Sequence, residues 1–219
     1  REYLGPLSAP YADGIRLRTP VQSIRRLPVG VEVRTLNHGA ELFDAVFIAT
    51  HSDQALRLLA DPTPAERAVL GQLRYQRNEA VLHTDTSLMP RRRLAWAAWN
   101  YNLPADAERL DGQVTLTYNM NILQGLDARQ QYCVTLNNTD AIDPDRILRV
   151  IGYEHPVFTE RAVAAQSRHR EINGAARTYY CGAYWRNGFH EDGVVSALNA
   201  LDHFEQRTGI AQRDIRRAG

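Results

Sequence analysis

Apolar positions recur at short intervals through the first fifty residues, and then the pattern changes. In "GIRLRTPVQSIRRL" the apolar set is Ile15, Leu17, Val21 and Ile24, and in "PVGVEVRTL" Val29, Val31 and Val33 share one face. Both read as extended chain. Asn37-His38-Gly39 is turn chemistry. "FDAVFIAT", residues 43–50, is a short and nearly continuous apolar run, which is how a strand covered on both faces reads. Ser52 is a candidate cap for a short helix carrying Ala55, Leu56 and Leu59, stopped by Pro62. A helix follows from Thr63, with Pro64 at its first position and Glu66 three residues past the cap.

The middle of the chain is strand-like. "EAVLHTD", "RLAWAAWNY", "QVTLTYN" and "QQYCVTLN" are short runs divided by turns, and they predict an antiparallel sheet of their own. Asp143-Pro144-Asp145 opens a short helix, "RVIGYEHPVF" is extended, and Thr159 caps a helix through "TERAVAAQSRHRE". The chain then reads as a strand, "RTYYCGAY", ending at Gly182, a second glycine turn at Gly188, and a helix with Val194, Val195, Leu198, Leu201 and Phe204 as its stripe. Glu191 and Asp192 stand at its start, where acids suit the helix dipole. A glycine turn at a helix N-terminus also suits an anionic ligand.

This order predicts a mixed α+β (α/β) chain of two parts. Residues 1–62 and 174–219 form one domain, and 63–173 form a sheet-rich insertion. The 219 residues are enough for either one large or two small domains. The net charge of +1 gives no overall basicity and no case for nucleic acid. All 26 basic residues are arginine, so the chain offers no lysine for a Schiff base or a general base. Cys133 and Cys181 form no CxxC pair, and the seven histidines show no ligand spacing, so no metal site is expected. No stretch reaches transmembrane length and no signal peptide is seen, and a cytoplasmic location is the expectation. "MPRRR", residues 89–93, is a compact basic run suited to a carboxylate, an acyl headgroup or an acidic membrane.

The run from Tyr179 to Phe204 resembles the C-terminal flavin-contacting motif of FAD-dependent amine-oxidase-like flavoproteins, the superfamily of monoamine oxidase and phytoene desaturase. Gly182 matches the first glycine of that motif, Gly188 and Phe189 its glycine-aromatic pair, and His190 the residue whose backbone amide meets the flavin. Residues 18–59 are similar to the family's second FAD-domain segment. There Val21 carries over as the adenine contact through its backbone, and Ala49 and Thr50 end the strand beside the cofactor. The middle, "VLHTDTSLMPRRRLAWAAWNY", resembles a bacterial subgroup described as predicted NAD/FAD-binding proteins.

The resemblance implies an FAD/NAD(P)-binding domain with an inserted substrate domain. It implies hydride transfer from a substrate C–H bond to flavin, with Trp96, Trp99, Tyr184 and Trp185 as candidate lining of a substrate pocket. No catalytic side chain is singled out. Three departures qualify the transfer: no GxGxxG occurs, no lysine is present, and Ala183 and Tyr184 stand where the family usually has an acid. The first of these leads to the expectation that the chain is the later part of a longer flavoprotein, inactive by itself. An apolar or lipid-like small-molecule substrate, peripheral lipid contact and a homodimer or swapped contact are expected as well. The alternatives are a non-catalytic module without bound flavin, or a flavin-dependent isomerase.

Overall fold

The computed structural model describes residues 3–101 and 115–210. Gln113 and Val114, which open the "QVTLTYN" run, lie outside the described residues. The chain packs as two units, Arg1–Arg74 with Pro156–Gly219, and Tyr75–His155. The inserted unit is therefore shorter than the 63–173 read from the sequence. The helix at residues 64–70 and the helices between 160 and 172 bury their apolar faces in the first unit.

The first unit begins with a short helix, α1 (Leu4–Ser8), and a 3-10 turn. Three antiparallel strands follow: β1 (Val21–Leu27), β2 (Gly30–Thr35) and β3 (Gly39–Phe43). Ile15 and Leu17 precede β1 and stay exposed, so the extended run predicted from residue 15 starts at Val21. The "FDAVFIAT" run is divided. Phe43 closes β3, paired with Val31, and the chain bends at Asp44 before β4 (Val46–Ile48). β4 pairs in parallel with β10 (Thr178–Tyr180), a strand from the other end of the chain.

Between them come α2 (Ser52–Leu58) and α3 (Pro64–Leu70), and later α5 (Glu160–Gln166) and α6 (His169–Ile172); α7 (His190–Thr208) follows β10. Ser52 is the first residue of α2 rather than its cap, and its hydroxyl donates to the Leu73 carbonyl at 2.8 Å. The cap predicted at Thr63 is present. Its hydroxyl accepts from the Glu66 amide, and the Glu66 carboxylate accepts from the Thr63 amide at 2.7 Å. Thr159 caps α5 as its sequence predicts. Ile24, Val31, Ile48, Val69, Leu70 and Tyr180 lie in the core these elements enclose.

The second unit is a five-stranded sheet in the order β6-β7-β8-β5-β9, from β5 (Tyr75–His83), β6 (Trp99–Tyr101), β7 (Leu116–Asn119), β8 (Cys133–Leu136) and β9 (Ile147–Pro156). The short helix α4 (Met120–Gln124), capped by Asn119, has no counterpart in the sequence reading. "RLAWAAWNY" gives only three strand residues, because residues 93–95 turn in 3-10 form and Trp96 Nε1 donates to the Pro90 carbonyl at 2.8 Å. Trp96 therefore lies outside the strand that holds Trp99, although both fall in the one strand-like run read from the sequence.

The buried face of this sheet is polar. The Asp85 amide donates to His83 Nδ1 at 3.2 Å, which assigns the ring proton to Nε2, and Nε2 donates to the Thr135 hydroxyl at 2.7 Å. Thr135 and Thr117 bond through their hydroxyls at 2.9 Å. Burial holds the His83 pKa below its ordinary value, against the opposing pull of Asp85. Burial, aided by Asp85, pushes the neighbouring Cys133 thiol up to about 11. Thr135→Val is isosteric and leaves the buried His83 Nε2 proton without its acceptor, so it is expected to cost about 1–3 kcal/mol in urea unfolding. An unchanged midpoint would mean that the hydroxyl chain contributes nothing.

Candidate functional site

In open α/β sheets, ligands settle outside the carboxyl ends of parallel strands. Here the two parallel strands β4 and β10 end side by side. Tyr180 pairs with Ile48, and the Cys181 amide donates to the Ile48 carbonyl at 3.1 Å. The residues that follow, Ala49 and Thr50 on one side and Gly182 on the other, thus emerge together. Ala49 and Thr50 are exposed. Thr50 and Val21 also border one depression of about 460 Å³, shared with Gln22, Gln54, Arg57 and Leu58.

Gly182 adopts φ +156°, ψ 154°, a region open essentially to glycine alone. A Cβ at this position would stand 2.4 Å from Cε1 of Tyr184. The ring that demands glycine here is the protein's own. The Gly182 amide donates to Ser196 Oγ at 2.8 Å, and that hydroxyl donates to the Gly193 carbonyl at 2.8 Å, which ties the second turn of α7 to the strand end. Gly188 has φ +91°, and its missing Cβ would meet nothing closer than the Phe158 ring at 3.8 Å, so backbone conformation selects glycine there.

The amino end of α7 is organised by Asp192, which is buried. Its Oδ2 accepts the Phe189 amide at 3.0 Å and the Asn187 amide at 3.2 Å. Gly188, Phe189 and His190 are exposed at the turn into the helix, with Phe189 as the N-cap residue. The predicted apolar stripe does not coincide with the buried face. Asp192, Ser196 and Ala200 turn inward, whereas Val194 is 55% exposed and Leu198 is exposed as well. Small and hydrogen-bonding residues face inward because the helix start lies against backbone at Ala183 and Gly182.

The candidate pocket aromatics fall in different units. Tyr184 and Trp185 are buried in the core of the first unit. Trp185 lies against His169, ring centroids 4.3 Å apart, and His169 Nε2 donates to the Tyr180 carbonyl at 2.8 Å. Burial lowers the His169 pKa despite that bond. Trp96 and Trp99 belong to the second unit, where Trp99 is exposed and meets Tyr118 edge-on at 5.8 Å.

One group behind the site escapes a sequence reading. Arg26, on β1, grips Glu66 on α3 with two parallel bonds of 2.9 and 3.0 Å, and its Nε reaches Asp61 at 2.9 Å. The Tyr180 hydroxyl donates to Glu66 Oε1 at 2.6 Å. Burial alone would raise the Glu66 pKa. The Arg26 guanidinium, the Tyr180 phenol and the Thr63 amide outweigh it and hold the carboxyl below its usual value. Burial and the adjacent carboxylate push Tyr180 far above the usual phenol range. This node fixes the end of β10, two residues before Gly182. The available signal was Arg26 sharing a strand face with Ile24: an inward arginine requires a partner.

The chain shares its fold with solved structures at low sequence identity. No protein-family model and no curated protein matches the chain. A protein assigned as a protoporphyrinogen oxidase from Exiguobacterium sp. 255-15 aligns with a TM-score of 0.60 and 18% identity, covering 89% of this chain and 48% of the other. Cyclohexylamine oxidase from Brevibacterium oxydans IH-35A aligns with a TM-score of 0.55 and 13% identity, over 89% and 50%. A CLA-producing fatty acid isomerase from P. acnes aligns with a TM-score of 0.54 and 14% identity, over 88% and 48%. The chain thus spans about half the length of the solved structures it matches. Among the described residues, no helix is long and apolar enough to cross a membrane, and no group of three or more His, Cys, Asp or Glu is placed to hold a metal.

Proposed function

We propose that the chain is part of an FAD-dependent oxidoreductase of the amine-oxidase-like kind. The observation that carries the reading is the meeting, at the carboxyl ends of β4 and β10, of Ala49, Thr50 and Gly182 with a glycine turn that opens α7. The residues present fit a flat cofactor with a polar edge. Ala49 and Thr50 are small and exposed, the missing side chain of Gly188 would meet only the Phe158 ring at 3.8 Å, and the first-turn amides of a helix have no partners within it. The fit is confined to that edge: Asp192 takes up the Asn187 and Phe189 amides.

Bound flavin would supply the hydride acceptor. The chain's own part is positional. Val21 and Thr50 would border one end of the group, and the His190 amide would donate to its pyrimidine edge, where negative charge grows on reduction. Gly188 would let backbone approach, and the Arg26–Glu66–Tyr180 node would hold β10 in place. The substrate we favour is apolar or lipid-like, since the chain has no lysine for amine chemistry. The fatty acid isomerase among the structures with this fold favours, as a second reading, isomerisation without net redox change. Anaerobic flavin reduction by a substrate would separate the two.

The test is retention of the visible flavin band after gel filtration of the protein with FAD, beside a His190→Pro variant. Proline is tolerated at the first helical position and removes only the amide, and Phe189 at φ −86°, ψ 165° already has the conformation that precedes proline. Retention with about tenfold weaker binding in the variant is expected. Retention by this chain is not required, since no GxGxxG occurs in it; retention by neither this chain nor a longer protein that carries such a segment would return the reading to a non-catalytic module.

A further inference from the structure

Residues 91–96 form a braced turn with an unusual surface. The turn runs in 3-10 form over Arg93–Ala95, with the Ala95 amide donating to Arg92 and the Trp96 amide to Arg93. Trp96 Nε1 fastens it to the Pro90 carbonyl, and the Asn100 side chain holds Ala97 through both its amide and its carbonyl. At the apex stands Leu94, 103% exposed, so its side chain touches almost nothing of the protein. Arg91, Arg92 and Arg93 precede it, all exposed. None of the three has a carboxylate partner among the described residues. Arg93 lies over the Trp96 ring at 5.3 Å.

Two more exposed amphipathic rings stand beside this turn. Trp99 is 58% and Tyr101 60% exposed, and as alternate residues of β6 they share one strand face. Arg91, Ala95, Trp99 and Tyr101 border a single open depression of about 820 Å³, which puts the turn and the two aromatics around one surface. A fully exposed leucine held at the tip of a rigid turn gains nothing from water. Flanked by three arginines, with Trp and Tyr beside it, it has the chemistry of an interfacial anchor: cations for lipid phosphates, amphipathic rings for the headgroup level, and an apolar tip for the acyl boundary.

We propose that the surface formed by residues 91–101 docks on an anionic lipid bilayer, with Leu94 inserting and Arg91–Arg93 meeting headgroup phosphates. Charge complementarity selects this occupant: three arginines without carboxylate partners among the described residues, in a chain of net charge +1, form a local basic patch rather than part of a general one. The inference is independent of flavin binding, since it needs only the second unit folded.

The experiment is co-sedimentation of the purified protein with phosphatidylglycerol-rich vesicles and with pure phosphatidylcholine vesicles, at low and high salt. Two variants accompany it, Leu94→Asp and the triple Arg91→Gln, Arg92→Gln, Arg93→Gln. Their side chains are exposed, and circular dichroism is the check that each still folds. Binding to the anionic vesicles that high salt weakens is expected. The triple variant should lose roughly a hundredfold in partitioning, and Leu94→Asp at least about tenfold. The proposal is overturned if the folded parent fails to sediment with anionic vesicles, if it binds both vesicle types equally, or if both variants bind as the parent does. Salt-sensitive self-association without vesicle binding would also overturn it, in favour of a protein partner for the patch.

Discussion

Replacing Glu66 by leucine is expected to destabilise the protein by about 3–5 kcal/mol, because the change leaves the Arg26 guanidinium and the Tyr180 hydroxyl buried without their shared acceptor. The exposed Asp61 offers Arg26 only a partial substitute. Urea unfolding of the single variants and of Arg26→Met with Glu66→Leu forms a cycle, in which the double variant should lose clearly less than the sum of the singles. Additive losses would show that the pair is not coupled. The linkage with pH has a definite sign. The folded Glu66 carboxyl lies below its unfolded value, so its contribution is complete above the ordinary carboxylate range. That contribution fades as pH falls through the lowered folded value. The Glu66→Leu variant should therefore show a flatter acid limb than the parent.

Gly182→Ala is the second large effect. The added methyl would stand 2.4 Å from the Tyr184 ring, on a backbone at φ +156° that a side chain strains against. Tyr184 is held in the core and cannot swing away cheaply. A loss of about 3 kcal/mol is expected, with an altered near-ultraviolet signal from Tyr184 and Trp185 and weakened flavin retention. A change inside the ordinary surface range of about 0.5 kcal/mol would mean that the turn adapts. Gly188→Ala serves as the comparison, since its strain is conformational with no close steric conflict.

The features legible in the sequence are those written in neighbouring residues. Thr63, Pro64 and Glu66 announce a helix start because a capping box closes within four residues. Thr159 and the run into α7 are legible for the same reason, and the alternating middle runs suffice for an antiparallel sheet. Long-range choices are not written this way. Nothing near Val46 names Thr178 as its partner, and nothing near Phe43 says that the chain must leave one sheet there and enter another. The aromatic run at 94–101 reads as one strand until the indole of Trp96 finds the Pro90 carbonyl. In α7 the periodicity is correct but the face differs, because hydrogen bonds of Asp192 and Ser196 turn the helix inward where hydrophobicity alone would turn Val194 and Leu198. At the candidate site, glycines and small residues were identifiable by position, whereas the use of Gly182 by Tyr184 needed coordinates.

The parallel pair also sets a timetable for synthesis. Ile48 and Cys181, joined by a backbone bond, lie 133 positions apart, and the second unit lies wholly between them. On a translating ribosome the second unit emerges whole and can close its own sheet, while β4 waits for β10. At about 5–20 residues per second that wait lasts on the order of ten seconds. During it, the apolar edge of β4 has no partner strand and Glu66 lacks the Tyr180 hydroxyl. The first unit is therefore the aggregation-sensitive half of the newborn chain, and slowing translation beyond residue 48 should lower soluble yield even though the finished protein is unchanged.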